Sequence, residues 1–334
     1  MYDAVIVGGG ITGISAAIHL INRGFKTLII EKCRLPCGAT AYSGGIFTRI
    51  IDEEYFREYA FKSHKFYMQV IKDADFINWG YVILEDIDEA LYDYNTYRGR
   101  ISEIRFLEHD ELEEVLGIKL SLDEDMAGLY IIDDFTVNPS KLNSFLIKRF
   151  LDMGGDLLID TYLKYFLEDG KVKVATLNNS INTGILLLCM GAWGDISPNT
   201  YRNSWLIDIP IFRFNVSIKV GFWDEELYGY FRPENGDMVG GFYNARRIDK
   251  VSDGFRGPDK EVIEQTLKLL KRRLGFKPYL VDTWSAPVAI SNDYRPFYLR
   301  LDEGVYSING FGGRGIIVSP GFTSYVINEI LRRM

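Results

Sequence analysis

The chain has 334 residues, with 38 Lys plus Arg against 46 Asp plus Glu and a formal net charge of −8. Hydrophobic residues make up 47% and aromatics 14%, which excludes disorder as the dominant state and supplies a sizeable core. The acidic balance argues against nucleic acid as the main partner, three cysteines against a disulfide framework, and the short apolar runs against a membrane span. The length points to two domains.

Residues 4–7 are a short apolar run that predicts a strand. The sequence GGGITG follows, then helical spacing over residues 14–23 ended by Gly24, then a second apolar run over 26–30 closed by Glu31. Strand, glycine turn, helix and strand within about thirty residues make a βαβ unit. Because strand-like sequence starts at Asp3, no leader segment is expected ahead of the fold, and a cytoplasmic location is expected. Residues 33–45 read as loop, 53–75 as one long helix, 81–84 as a strand and 108–117 as a short helix. The apolar residues 129–132 are expected to end in a turn at Asp133 and Asp134. Asn138 before Pro139, and Gly154 with Gly155, cap a helix over 139–153 at its two ends. Residues 156–167 read as strands around a turn. Residues 185–190 form an apolar run ending in Gly191, the pattern of a strand buried on both faces.

Residues 212–222, 228–231 and 238–243 read as antiparallel strands, with a turn at Glu234, Asn235 and Gly236. An amphipathic helix over 259–274 ends at Gly275. A strand over 305–308 leads to a second glycine turn, 310–315, and a last helix through Arg333. Nucleotide-domain signals therefore sit at 1–48, 136–200 and 280–334, and residues 49–135 and 201–279 read as insertions that together form a substrate domain.

The glycines of GxGxxG are Gly8, Gly10 and Gly13. Gly8 permits the tight turn, Gly10 lets backbone approach a pyrophosphate, and Gly13 lets helix and strand pack closely. The amides of Ile11 and Thr12 open the helix, where free N–H groups and the dipole favour phosphate. Glu31 lies 18 residues beyond Gly13 and is placed to accept ribose hydroxyls, with Lys32 beside it. Its charge would repel a 2′-phosphate, so NADP is disfavoured. Cys33 and Cys37 form C-x3-C without a His or Cys cluster nearby, so no metal site is expected, and a pair without function is preferred to a redox pair. Cys189 reads as core, and His19, His64 and His109 read as structural or surface residues.

Three later segments join these motifs. ILLLCMGAW (185–193) and SINGFGGRG (307–315) each carry a glycine turn, and WSAPVAISNDYRPF spans 284–297. With DDFTVNPSKL (133–142) and YFRPENGDMVGG (230–241), the chain resembles over nearly its whole length the D-amino-acid oxidase family of FAD-dependent oxidoreductases, which includes glycine and sarcosine oxidases and dye-linked proline dehydrogenases. The resemblance implies an α/β fold. A Rossmann-like FAD-binding domain would join a discontinuous α+β substrate domain built on a mixed, largely antiparallel sheet. It implies non-covalent FAD, since no cysteine stands in the C-terminal region where sarcosine oxidases attach flavin. Thr40, Ser43 and Gly44 would face the flavin or pyrophosphate, and Leu163 and Gly191 are further cofactor contacts. Gly312 is a further cofactor contact under this resemblance, and amides of Gly313, Arg314, Gly315 and Ile316 would stabilise charge at the flavin as an oxyanion hole does.

The implied activity is oxidation of a C–N bond in an amino acid or amine, by hydride transfer to flavin N5 from the free amine. Three positions that hold substrate carboxylate in the family are Asp52, Val288 and Ile317 here. Arg49, Tyr230, Arg232 and Arg314 are the remaining catalytic candidates, and Asn244 lies at another pocket position. An α-amino or cyclic imino acid such as proline is favoured, its carboxylate meeting one of the three arginines. Two alternatives stand beside it: a 2-hydroxy-acid or polyol dehydrogenase on the same scaffold, and a non-catalytic FAD-binding subunit of a larger dehydrogenase complex. A homo-oligomer or an electron-transfer partner subunit fits either enzyme reading.

Overall fold

The computed structural model describes residues 1–34, 37–51, 54–168, 170–196, 204–242 and 244–333. Asp52 lies outside them, as do the boundary at 200 and 201 and the end of the 238–243 strand at Tyr243.

The first sheet has eight strands among the described residues. Tyr2–Val7 lies at its centre, parallel to Thr27–Glu31 on one side and to Ser180–Leu188 on the other. Asp156–Ile159 extends the sheet beyond Thr27–Glu31, and Val305–Asn309 lies beyond Ser180–Leu188. Period-two alternation divides its side chains between two cores. Ile6, Ile29 and Leu187 face the helices Ile11–Ile21, Pro139–Asp152 and Gly315–Leu331. Val5, Leu28, Ile30, Leu186 and Leu188 face the other way, onto Tyr162, Val172 and Val174 of a hairpin. Both faces are covered, so these strands are continuously apolar.

The second sheet has ten strands among the described residues and is mostly antiparallel. Phe212, Phe222, Phe231 and Met238 pack on Leu112 and Leu116 of His109–Leu116 and on Leu270 and Leu274 of Lys260–Leu274. Part of the opposite face meets the first sheet across a cavity.

Several sequence expectations shift. No turn forms at Asp133 and Asp134: Met126–Val137 is one strand, because Asp134 inside it is held by Arg49. Residues 212–222 are two strands, Ser204–Phe214 and Gly221–Asp224. The proposed division also moves at three places. Leu280–Ser291 pairs along Ser204–Phe214 and so belongs to the second sheet. Ile46–Phe47 pairs there too, with Phe135 and Thr136. The helix Glu54–Val70 goes the other way, burying Phe56, Phe66 and Tyr67 in the nucleotide-side core against Phe322. Among the described residues no helix is long and apolar enough to cross a membrane.

Candidate active site

A cavity of about 660 Å³ runs between the two sheets. Its first end lies at the carboxyl ends of Tyr2–Val7 and Thr27–Glu31, the place where parallel α/β sheets bind ligands. Gly8 there has φ +110°, and a Cβ would sit 2.3 Å from the Cys189 carbonyl oxygen. The helix Ile11–Ile21 starts at Gly10 with no side-chain cap. Thr40 Oγ1 accepts the Ile11 N–H at 3.1 Å. Glu31 lines the cavity and is fixed from behind: its Oε2 accepts the Gly9 N–H at 2.6 Å and its Oε1 the Cys33 N–H at 3.2 Å.

The second glycine turn reaches the same cavity from the other side. Gly312, Gly313, Arg314, Gly315 and Ile316 all line it. They open the helix Gly315–Leu331, which also lacks a side-chain cap. Thr12 and Ser319 hydroxyls, 2.9 Å apart, tie the two helix starts together. Two helix N-termini, neither capped by its own N-cap side chain, thus open at one cavity, and of the first turn of Ile11–Ile21 the Ile11 N–H is taken by Thr40.

The family model for FAD dependent oxidoreductases (DAO) matches residues 3–327. The chain belongs to this family. It is similar to the probable oxidoreductase OrdL of Haemophilus influenzae, 21% identical over 359 residues, covering 98% of this chain and 82% of that protein. It is 24% identical over 373 residues to human mitochondrial dimethylglycine dehydrogenase, covering 98% of this chain but only 42% of that longer protein. Among solved structures, L-proline dehydrogenase from P. horikoshii matches with a TM-score of 0.84 at 19% identity, over 98% of this chain and 93% of that one.

The cavity of this FAD-dependent oxidoreductase fits the dinucleotide. Glu31 offers acceptors where a ribose belongs, and Lys32 lies 3.4 Å from the Trp193 ring centroid at the same end. Burial pushes the Lys32 ammonium below its ordinary value, with Glu31 opposing. Gly8 and Gly10 admit backbone close to a pyrophosphate. Gly13 contributes packing rather than a cavity wall: a Cβ there would stand 1.9 Å from the Gly8 carbonyl oxygen. The loop bearing Thr40, Ser43 and Gly44 is pinned from three directions. Ser43 Oγ donates to the Thr40 carbonyl, Ser140 Oγ to that of Ala41 and Trp284 Nε1 to that of Tyr42. Gly191 also lines the cavity, its carbonyl accepting from Asn309 Nδ2 at 2.9 Å.

Leu163 is corrected. It is 47% exposed, while Asp160, Thr161 and Tyr162 line the cavity. Leu163 falls at a bulge in the pairing with Lys171–Thr176, between Tyr162 and Lys164, and stands outside the wall by one residue.

The arginines divide. Arg314 lines the cavity, its guanidinium 5.1 Å from the Phe56 ring centroid. Arg49 is not among the cavity-lining residues, although Thr48 and Ile50 on either side are. At 3% exposure it donates from Nε to Asp134 Oδ1 at 2.7 Å and pairs with Asp133, whose carboxylate also meets His64 Nε2 at 3.2 Å. Burial raises the Asp133 carboxyl, but His64 and Arg49 overcome it and hold it down to about 2. His64, Asp133 and Asp134 bring ligating atoms together, yet the Arg49 cation already occupies that charge. Arg232, 2% exposed, donates from Nε to the Gly44 carbonyl at 2.7 Å and pairs with Glu234. It holds the loop at Gly44 and does not itself line the cavity. Tyr230, two residues earlier, does line the cavity, its ring packed so closely on Gly44 that a Cβ would lie 2.6 Å away. Val288 and Ile317 line the cavity as aliphatic surface, and Asn244 does not line it.

Cys33 and Cys37 are joined in a disulfide, so the grouping of their sulfurs near Glu31 is not a thiolate metal site. Sequence reasoning also passed over Tyr81, Glu85, Trp223 and Glu225, which line the cavity from the second sheet. The alternation of Tyr81, Ile83 and Glu85 along one strand face was the available signal.

Proposed function

We propose that this flavoenzyme oxidises a carbon–nitrogen bond of an amino acid or amine. The observation that carries the reading is the cavity's continuation past the Gly312–Gly315 turn into a chamber walled by Tyr81, Trp223 and Tyr230. Bound FAD supplies hydride acceptance at N5 of its ring. The amides of Gly315 and Ile316 would hold negative charge at the other edge of that ring. Apolar walls from Ile209, Ile211, Val288 and Ile290 exclude water and favour the neutral amine, whose lone pair assists hydride departure. Two of the similar proteins are named for amino-acid substrates, proline and dimethylglycine, which supports C–N chemistry.

We infer that the flavin is held without a covalent bond. The Cys33 and Cys37 sulfurs are joined to each other. Burial pushes the Cys189 thiol up to about 12, leaving almost no thiolate to react. Acid precipitation should release FAD into the supernatant; a yellow pellet would contradict this. For the reaction, anaerobic mixing with a panel of amines and amino acids should bleach the flavin absorbance. Bleaching by 2-hydroxy acids alone would replace the reading with alcohol oxidation.

A further inference from the structure

We propose that strained turns close the cavity with aromatic side chains: Tyr228 and Tyr294 bar the chamber beside the flavin ring, and Phe255 covers the cofactor. The part given to Tyr228 and Tyr294 rests on the reading that this chamber takes the substrate.

The backbone singles these residues out. Among the described residues, four that are not glycine have a left-handed φ: Tyr228 at 50°, Asn235 at 53°, Phe255 at 65° and Tyr294 at 60°. A Cβ in that conformation crowds the backbone, so glycine or asparagine is the low-energy choice. Asn235 is such a case, in a hairpin turn beside Gly236, and it does not line the cavity. The other three are aromatic, and a bulky residue there is an outlier. Strain of this kind persists where neighbouring bonds over-determine it, and it clusters at ligand clamps.

The bracing bonds are present in each turn. The Tyr228 N–H donates to the Glu225 carbonyl at 3.3 Å, and the N–H of buried Leu227 donates to Asp224 Oδ1 at 3.1 Å. The Tyr294 N–H donates to the Ser291 carbonyl at 3.1 Å, and the Arg295 N–H to Asp293 Oδ1 at 3.2 Å. Phe255 follows Gly254, where a Cβ would stand 2.8 Å from Pro287, and precedes by two Gly257, whose N–H donates to Ser285 Oγ at 3.0 Å.

All three rings stand at the cavity. Tyr228 lines it and meets the Trp223 ring edge on, with centroids 6.4 Å apart. Tyr294 lines both the cavity and an outer groove formed with Tyr55, Phe56 and Arg295. Phe255 packs on Tyr42 and Trp193, two cavity-lining residues, at 5.6 and 6.0 Å between centroids. At 58%, 57% and 42% exposed, Tyr228, Tyr294 and Phe255 have protein on one side and solvent on the other. Exposed side chains change rotamer within nanoseconds, so each ring can swing aside and return, and its return shuts water out.

The test uses FAD-loaded enzyme and the single variants Tyr228→Gly, Tyr294→Gly and Phe255→Gly. Glycine accepts each backbone conformation, so the unfolding midpoint should not fall. Flavin fluorescence is quenched with iodide at constant ionic strength, with no substrate present. The quenching constant should rise toward that of free FAD in both tyrosine variants, with FAD affinity unchanged. Tyr228→Phe and Tyr294→Phe should keep the wild-type value, since the bulk of the ring is what closes. Phe255→Gly should instead raise the FAD dissociation constant roughly two- to tenfold, as for one lost aromatic contact. Asn235→Gly is the control and should change neither quantity. Wild-type quenching in both tyrosine variants overturns the closures, and wild-type FAD affinity in Phe255→Gly overturns the cover. A lowered unfolding midpoint with all quantities moving together in every variant overturns both, as general loosening. Raised quenching without bleaching by any amine or amino acid keeps the closures and overturns C–N oxidation.

Discussion

The Glu31 carboxylate takes the Gly9 N–H on one oxygen at 2.6 Å and the Cys33 N–H on the other at 3.2 Å. One side chain thus joins the glycine turn to the loop after the second strand, and it lines the cavity. The acid that would receive the ribose also shapes the turn that would receive the pyrophosphate.

Glu31→Ala should therefore lower FAD affinity through both routes. Each charge-assisted bond is worth about 1.5–3 kcal/mol. The dissociation constant should rise at least tenfold, read by recovery of free flavin fluorescence on dilution. Glu31→Gln should fall between, since it keeps the shape and loses the charge. Full FAD affinity in Glu31→Ala would remove Glu31 from the site.

Arg232→Met should act on stability and flavin retention before it acts on substrate. The change leaves Glu234 with Arg213 at 2.7 Å and Asn138 at 3.2 Å, and it frees the Gly44 carbonyl. Breaking a buried pair from one side costs about 3–5 kcal/mol, and the surviving partners favour the low end. Urea unfolding and FAD release should both shift. A raised KM with unchanged unfolding midpoint would return Arg232 to the role of substrate clamp.

Local patterns were legible in the sequence, and long-range charge pairing was not. The βαβ unit, Glu31 and both glycine turns announce themselves by spacing within thirty residues. Asp133 and Asp134 look like a turn because two adjacent carboxylates are rare inside a strand. Their partner Arg49 lies 85 residues from Asp134, beyond any window of local pattern. Arg49 and Arg232 were read toward substrate for the same reason: a sequence shows a cation but not the acid already facing it. For Arg232 a hint existed, since Glu234 lies two residues on along the same strand face. Leu163 misses the wall by one residue because the pairing with Lys171–Thr176 has a bulge between Tyr162 and Lys164, which local sequence does not show.

Stability should fall as the solution is acidified from about pH 6.5 toward 4. Burial pushes His19 down to about 4, even though its Nε2 lies 2.8 Å from the Pro320 carbonyl oxygen. Neutral His19 donates to that carbonyl, which is set in the last helix at its proline. The unfolded imidazole titrates near about 6.5. Between the two values the unfolded chain binds the extra proton. The contribution is therefore complete above about 6.5 and lost as pH falls through that window, on the order of 3 kcal/mol in all. Chemical denaturation at stepped pH should show the slope, and His19→Gln should flatten it. An NMR titration midpoint near 6.5 in the folded protein would contradict the argument.

Reduction of the Cys33–Cys37 disulfide should loosen FAD without unfolding the domain. The bridge joins residues four apart and closes the loop that follows Glu31. Both flanks of that loop matter to the cofactor: the Cys33 N–H holds Glu31, while Cys37 and Gly38 line the cavity, Gly38 against the Trp193 ring. By the chain-entropy relation, closing so short a loop is worth about 2 kcal/mol. That sum is small beside a fold with two packed sheets, so secondary structure should survive reduction. It is large beside a binding equilibrium, where the same freedom must be frozen each time FAD enters. The dissociation constant should rise by up to about thirtyfold on reduction. The Cys33→Ser, Cys37→Ser double variant should show the raised value with or without reductant. A native protein whose FAD affinity ignores reductant, with free thiols confirmed by titration, would leave the bridge without a part in cofactor binding.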